Sequence, residues 1–290
     1  MIVLLGPQRL RPTLPQVLVE HGIVGPIATV TAGWQEREDD DVDLGAALGG
    51  TTRNLRLYAR AEEVFREDRE FHQAIRKRGE RLRAMQDFYR IRLDCALEAV
   101  GALSRRGAPD EEVELAIAAV RALDEEHLGR CRAVHAEFDA AERPATRDGV
   151  GRHREEVAAI IAGSMALAIA GGHVAVLLNR LRLFDVRADK VFAWSAGAMA
   201  LTDRLVLFHD SPPQGPGSPE VLENGLGLCP GVVALPSPRL RLRLDDRPRV
   251  ALYARRFAPA TCLALDDGTW AAFPGGSSGV VRLSPDGGLS

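Results

Sequence analysis

No stretch of this 290-residue chain approaches the roughly 20 consecutive apolar residues that span a bilayer. Its opening, MIVLLGPQRL, holds only a few apolar positions before Gly6-Pro7. That is too short for the apolar region of a secretion signal and predicts a first buried strand. Cysteine is scarce and scattered: Cys95, Cys131, Cys229 and Cys262 form no CxxC pair, and no histidine stands at metal-ligand spacing. Reduced, mostly buried thiols in a cytoplasmic protein follow, with no metal and no cofactor expected. A basic stripe is also missing. The 37 basic residues, mostly arginine, are interleaved with 40 acidic ones, and the formal charge is −3. Neither a nucleic-acid nor a membrane partner is expected on that balance. Gly6-Pro7-Gln8-Arg9 lacks the glycines and lysine of a phosphate loop, and no internal repeat is evident.

What remains is an ordinary globular composition, 46% hydrophobic and 27% charged, which excludes wholesale disorder. Three zones differ in texture. Residues 1–57 alternate strand and helix signals: Ile2–Leu5 as a strand, Pro12–His21 as a helix stopped by Gly22, Ile27–Thr31 as a buried strand, and Asn54–Leu57 as a third strand. Between the last two, Glu36 to Asp43 reads as a solvated acidic loop. The middle zone, 59–142, is rich in Ala, Leu, Arg and Glu, and its one proline before residue 142, Pro109, follows Gly107. Leu82, Met85, Tyr89, Ala96, Val100 and Leu103 recur at helical steps before that break. Val113, Ala116, Val120, Leu123, His127, Cys131, Val134 and Phe138 do so after it. Two antiparallel amphipathic helices of some 30–45 residues, roughly 45–65 Å each, are predicted as a projecting hairpin. Such an arm suits a homodimer contact or a partner-recognition surface.

The third zone, to residue 290, returns to alternating strands and helices. Ala166–Ala170, Val191–Trp194 and Leu205–Phe208 read as strands; Glu155–Ala162, His173–Leu183 and Ala196–Thr202 read as helices. After a Pro/Gly-rich loop, Cys262–Leu265 and Trp270–Phe273 are short strands, and the Gly/Ser-rich end reads as loosely held. The fold class is therefore α/β, a mainly parallel sheet with helices on both faces. Residues 1–58 and 143–290 form the α/β domain, and 59–142 an inserted helical hairpin.

One local pattern carries chemistry. In KVFAWSAGAMAL an apolar strand runs into Ser195 and then into small residues that open a helix. This is the layout of a nucleophile elbow, with Ala193 and Gly197 at the flanking small positions. The amide of Ala196 would face a developing oxyanion. A second signal is Ala170-Gly171-Gly172-His173 at a strand end, where a glycine pair lets backbone amides approach a carbonyl closely. Trp34 and Trp194 would line the same crevice or the core below it. Cys229 has no basic neighbour, so an inert thiol is expected.

The pairing of IAGGHVAVLLNRL with FAWSAGAMAL, followed by LFHD and GLGLCPGVV, resembles the S51 serine peptidases. That family holds the aspartyl dipeptidase (peptidase E) and cyanophycinase branches, on a class I glutamine amidotransferase-like, flavodoxin-like layered fold. The resemblance covers about 165–236 well and 1–57 loosely. It implies a hydrolase of the peptidase or amidase class acting on a small peptide or amide. Ser195 takes the nucleophile's place, and Gly171, Gly172 and Ala196 supply the oxyanion hole. The family's histidine, which follows the Gly-Leu-Gly-Leu-x-Pro stretch, has no counterpart here: Pro236 and Ser237 stand there, and no histidine follows His209. A substitute base would be His209 or His173, and an acid Asp210, Asp267 or its neighbour Asp266. A non-catalytic relative, binding a small ligand or assembling through the helical arm, is the alternative. Serine at the elbow rather than cysteine argues against glutaminase chemistry.

Overall fold

The computed structural model describes residues 1–208 and 219–290. Five parallel strands form the central sheet: β1 (Ile2–Leu5), β2 (Ile27–Val30), β3 (Thr52–Asn54), β4 (Ala166–Ile169) and β5 (Val191–Trp194). They lie side by side in the order β3-β2-β4-β5-β1. IATV, ALAI and VFAW are buried at every position, as strands covered on both faces must be. Next to β1 the chain adds two antiparallel edge strands, β10 (Trp270–Phe273) and β11 (Ser277–Ser278). Helices α1 (Leu14–Glu20), α2 (Val42–Ala47), α3 (Leu57–Glu67), α6 (Asp148–Ala162), α7 (Val174–Leu183) and α8 (Ala196–Ala200) connect and cover this sheet. Its two faces pack separate apolar clusters, one around Leu4, Leu167 and Ile169, the other around Val3, Ala168 and Phe192. From β2 the chain proceeds outward to β3, and from β4 the opposite way to β5. The β2/β4 boundary is thus where ligands bind in such sheets, outside the strands' carboxyl ends.

Two expectations for the first zone are corrected. Asn54–Leu57 is not a strand: the strand is Thr52–Asn54, and Leu57 already begins α3. Arg56 turns the chain with a left-handed backbone, φ 51°. The Glu38 carboxylate then accepts the helix-opening amides of Tyr58 and Ala59, both at 2.9 Å. A cap supplied from about 20 residues upstream leaves no trace in the local pattern. For the same reason 36–43 is not simply a solvated loop. Ala32–Arg37 forms a 3-10 turn, α2 begins at Val42, and Glu38 is 3% exposed.

The helical hairpin exists, as α4 (Arg69–Arg105) and α5 (Asp110–Glu142), of 37 and 33 residues. It does not project. Its inner stripe packs against a second region made of β6 (Arg204–Leu207), β7 (Glu220–Asn224), β8 (Val232–Pro236), β9 (Thr261–Leu265), β12 (Val281–Arg282), α9 (Pro238–Arg241) and α10 (Arg247–Phe257). The strands here form a β6-β7 antiparallel pair and a β12-β9-β8 sheet in which β8 and β9 are parallel. Tyr89, Leu93, Val113, Ile117 and Val120 share one cluster with Val221, Val233, Leu235 and Phe257. A buried ion pair clamps the layers: Arg256 of α10 grips Asp124 of α5 through two bonds of 2.7 Å, with each side chain 1% exposed. Tyr89 of α4 donates to Asp124 at 2.6 Å and accepts from Arg256 at 3.0 Å. The end of the chain is held as well, since Ser290 and Arg282 exchange backbone hydrogen bonds of 2.7 and 3.0 Å. Among the described residues no helix is long and apolar enough to cross a membrane.

Candidate active site at the strand carboxyl ends

The turn after β5 forces Ser195 into φ 53°, ψ −123°, a region that a residue with a Cβ enters only at a cost of about 1–3 kcal/mol. The strain follows from crowding. The helix that begins at Ala196 lies so close to β4 that a Cβ on Gly197 would stand 2.5 Å from the Ile169 carbonyl oxygen. The bend must therefore be completed within one residue. Ser195 is half-buried, its carbonyl accepts the Met199 amide at 3.1 Å, and its hydroxyl has no hydrogen-bond partner among the described residues.

Gly171 faces it from β4. A methyl there would lie 2.7 Å from the Ser195 Cβ, 3.4 Å from its Oγ and 3.5 Å from the Ala196 nitrogen. Gly172 turns the other way, with φ 111°, and presses on the turn after β2, where a Cβ would meet the Gly33 carbonyl oxygen at 2.3 Å. The His173 amide donates to that same oxygen at 2.7 Å. The structure thus brings Ser195, Gly171 and Ala196 together, with Gly172 one step further toward β2. Among the described residues the amides of Gly171, Gly172 and Ala196 donate to no backbone carbonyl. They are free to bind an anionic oxygen.

His173 caps α7: its Nδ1 accepts the Val176 amide at 3.3 Å. That acceptor role leaves the ring proton on Nε2, so the imidazole has no free lone pair for a hydroxyl proton. His209 and Asp210 lie outside the described residues. Ser237, at the place of the family's histidine, has a left-handed backbone (φ 54°) and opens α9. Asp266 stands on the same rim as Ser195. Its carbonyl would be 1.7 Å from a Cβ on Gly6, the residue after β1, and β1 pairs directly with β5. The Asp266 carboxylate, however, accepts the Arg239 amide at 3.2 Å and pairs with Arg239 Nε at 3.1 Å. Burial raises its pKa above the ordinary value, against the pull of Arg239. Asp267 follows it in a turn closed by the Thr269 amide on the Asp266 carbonyl.

Trp194 is 6% exposed and belongs to the core beneath, while Trp34 is only partly buried against that core. Burial pushes the Cys229 thiol up to about 12, an inert group at neutral pH. His127 stacks on Tyr89 at 4.3 Å and is structural. Among the described residues no three His, Cys, Asp or Glu side chains converge as a metal site.

Gln35 is a further strained residue, without a motif of its own in the sequence to mark it. Its backbone, φ 59°, ψ −124°, lies within 6° of that of Ser195 in both angles, at the turn after β2. Two residues with side chains hold a conformation suited to glycine at one rim. The local signal was Ala32-Gly33 at a strand end, the same small-residue punctuation that marks Gly171-Gly172. Beneath the rim, Glu38 is buried with both oxygens on the α3 amides; burial raises its carboxyl above the ordinary range against those bonds.

Compared with known protein families and with curated proteins, the sequence matches none.

Proposed function

We propose that this chain is a serine hydrolase of the peptidase or amidase class, on a class I glutamine amidotransferase-like fold related to the S51 peptidases. One observation carries the reading: Ser195 keeps a side chain at a backbone angle that glycine would occupy without strain, facing unpaired amides at the carboxyl end of a parallel sheet. In this reading the Ser195 hydroxyl attacks the carbonyl of a small peptide or amide. The Ala196 amide, with Gly171 or Gly172, then stabilises the tetrahedral oxyanion. The hydroxyl proton passes to His209, the first residue after Phe208, because the Nδ1 of His173 is spent on capping α7. The same imidazole returns the proton to the leaving amine, and water completes the cycle by hydrolysing the acyl-serine. Turnover of a panel of aminoacyl p-nitroanilides and short aspartyl peptides tests the reading. Hydrolysis abolished by Ser195→Ala supports it, and turnover that survives that substitution removes it.

A second reading has its own observation. The acidic group on this rim, Asp266, is paired with Arg239 and not with an imidazole. On that ground the site is a descendant that binds a small carbonyl ligand without cleaving it. Ligand binding that is unaltered in Ser195→Ala, with no turnover by the wild type, would favour it.

A further inference from the structure

A cleft of about 1050 Å³ opens between the helical hairpin and α7, far from the Ser195 rim. His173 caps the amino end of α7, whereas Asn179, Leu181, Arg182 and Leu183 toward its carboxyl end line the cleft. Along α7 those lining residues stand about 9–15 Å from His173. The floor is apolar, built from Ile75, Phe138, Leu181, Val186 and Leu226, with the 45%-exposed Leu228 at its margin. The polar wall is lopsided in charge. Arg78, Arg132, Arg143, Arg154, Arg182 and Arg187 line it, against only Asp139 and Asp185 among the lining acids.

Several of these arginines have work elsewhere. Arg182 pairs with Glu223 at 2.7 Å, Arg187 with Asp185 at 2.8 Å, and Arg154 Nε donates to the Leu183 carbonyl at 2.9 Å. Two do not. Arg78 lays its guanidinium over the Phe138 ring at 4.1 Å, and among the described residues it makes no hydrogen bond or ion pair. Asp139 lines the same cleft but stays outside ion-pair distance of it. Burial, with repulsion from Arg182 and Arg180, holds the Arg78 pKa below its ordinary value, although Asp139 and Glu223 oppose the shift. Arg143 ends α5 with a left-handed backbone, φ 43°, at a position where glycine is usual. Its backbone is pinned by Asp139 and Thr146, while its side chain has no partner among the described residues.

A guanidinium stacked on an aromatic ring, with its donors unspent, suits planar two-point recognition of a carboxylate or phosphate. The apolar floor adjoining it requires more than a bare ion. We propose that this cleft binds a small amphipathic anion, whose apolar body lies along Phe138, Leu181, Val186 and Leu226 and whose carboxylate or phosphate is held by Arg78 and Arg143. The volume is at the upper end of that found for small-molecule sites. This site is independent of Ser195 and of the hydrolase reading.

The test titrates the full-length chain with 8-anilinonaphthalene-1-sulfonate, an aromatic body bearing one anionic group. Wild type is expected to bind one probe per chain at the cleft. Arg78→Gln and Arg143→Gln should each weaken it by roughly tenfold, the loss of one charge-assisted contact. Arg241→Gln, exposed on α9, should leave it unchanged. Dodecanoate or dodecyl phosphate should displace the probe, the better of the two naming the headgroup. Dodecanol and inorganic phosphate at equal concentration should not. Wild-type affinity in the folded arginine variants overturns the proposal, as does the absence of a saturable site. Displacement by dodecanol as readily as by dodecanoate, or by inorganic phosphate as readily as by dodecyl phosphate, does so too. If Arg78→Gln lowers the melting temperature, the exposed Arg143→Gln decides alone.

Discussion

Gly171 and Ser195 touch across two strands: a single methyl on the glycine would sit 2.7 Å from the serine Cβ, well inside contact distance. The Gly171 backbone lies against the Ser195 Cβ and Oγ, so the glycine cannot gain an atom without moving the serine. Gly171→Ala is expected to cost about 1–3 kcal/mol in urea denaturation, the range for an overpacked interior. Any reactivity of Ser195 should fall with it. An unchanged midpoint would show that the two turns are looser than described.

The angle at Ser195 makes its own prediction. Alanine keeps the Cβ and so keeps the strain, whereas glycine removes it, at the expense of a more flexible unfolded chain. Ser195→Gly should therefore exceed Ser195→Ala in stability by about 1 kcal/mol. Equal stabilities would mean that φ 53° is not where the residue rests in solution.

How far these features were legible in the sequence differs by element. VFAW-Ser-AGA and LAIA-GG announced themselves because strand, turn and helix signals all fall within a dozen residues. Glu38 did not, because a carboxylate in an acidic run looks like any solvated loop until α3 brings its amides onto it. In the α5 stripe Ala116 and Leu123 pack partly buried against the core, as their spacing predicts, but Ile117 and Asp124 beside them are buried more deeply. An aspartate enters a core position only when a distant arginine meets it, and Arg256 lies 132 residues away. The same long-range pairing explains why the hairpin lies along the body while its sequence reads as a free arm.

That pair predicts a large effect. Asp124→Ala leaves the Arg256 guanidinium buried and unpaired, and should destabilise the fold by about 3–5 kcal/mol. Asp124→Leu combined with Arg256→Met should recover most of the loss, because apolar groups of similar volume carry no desolvation cost. A double variant no better than Asp124→Ala would mean that the clamp acts mainly through shape.

Acid sensitivity has a defined source at Glu223. Burial alone would raise its carboxyl, but hydrogen bonds from His135 and Arg182 and the charges of both outweigh that, so its pKa lies below the ordinary range. The stabilisation is complete above the unfolded-chain value of about 4.3. It is lost as pH falls from there through the depressed folded value, because the unfolded state takes up the proton first. Glu223→Gln should lower stability at pH 7 and flatten the decline between about pH 5 and pH 3. A decline as steep as that of the wild type would place the acid-labile group elsewhere.

The most direct measurement is intact-mass analysis after exposure to a fluorophosphonate, with peptide mapping of the adduct. The account predicts one adduct per chain on Ser195, absent from Ser195→Ala and from His209→Gln, and retained in His173→Gln. A native wild type that takes up no label, or that carries it on another residue, contradicts the assignment of Ser195 as an activated nucleophile.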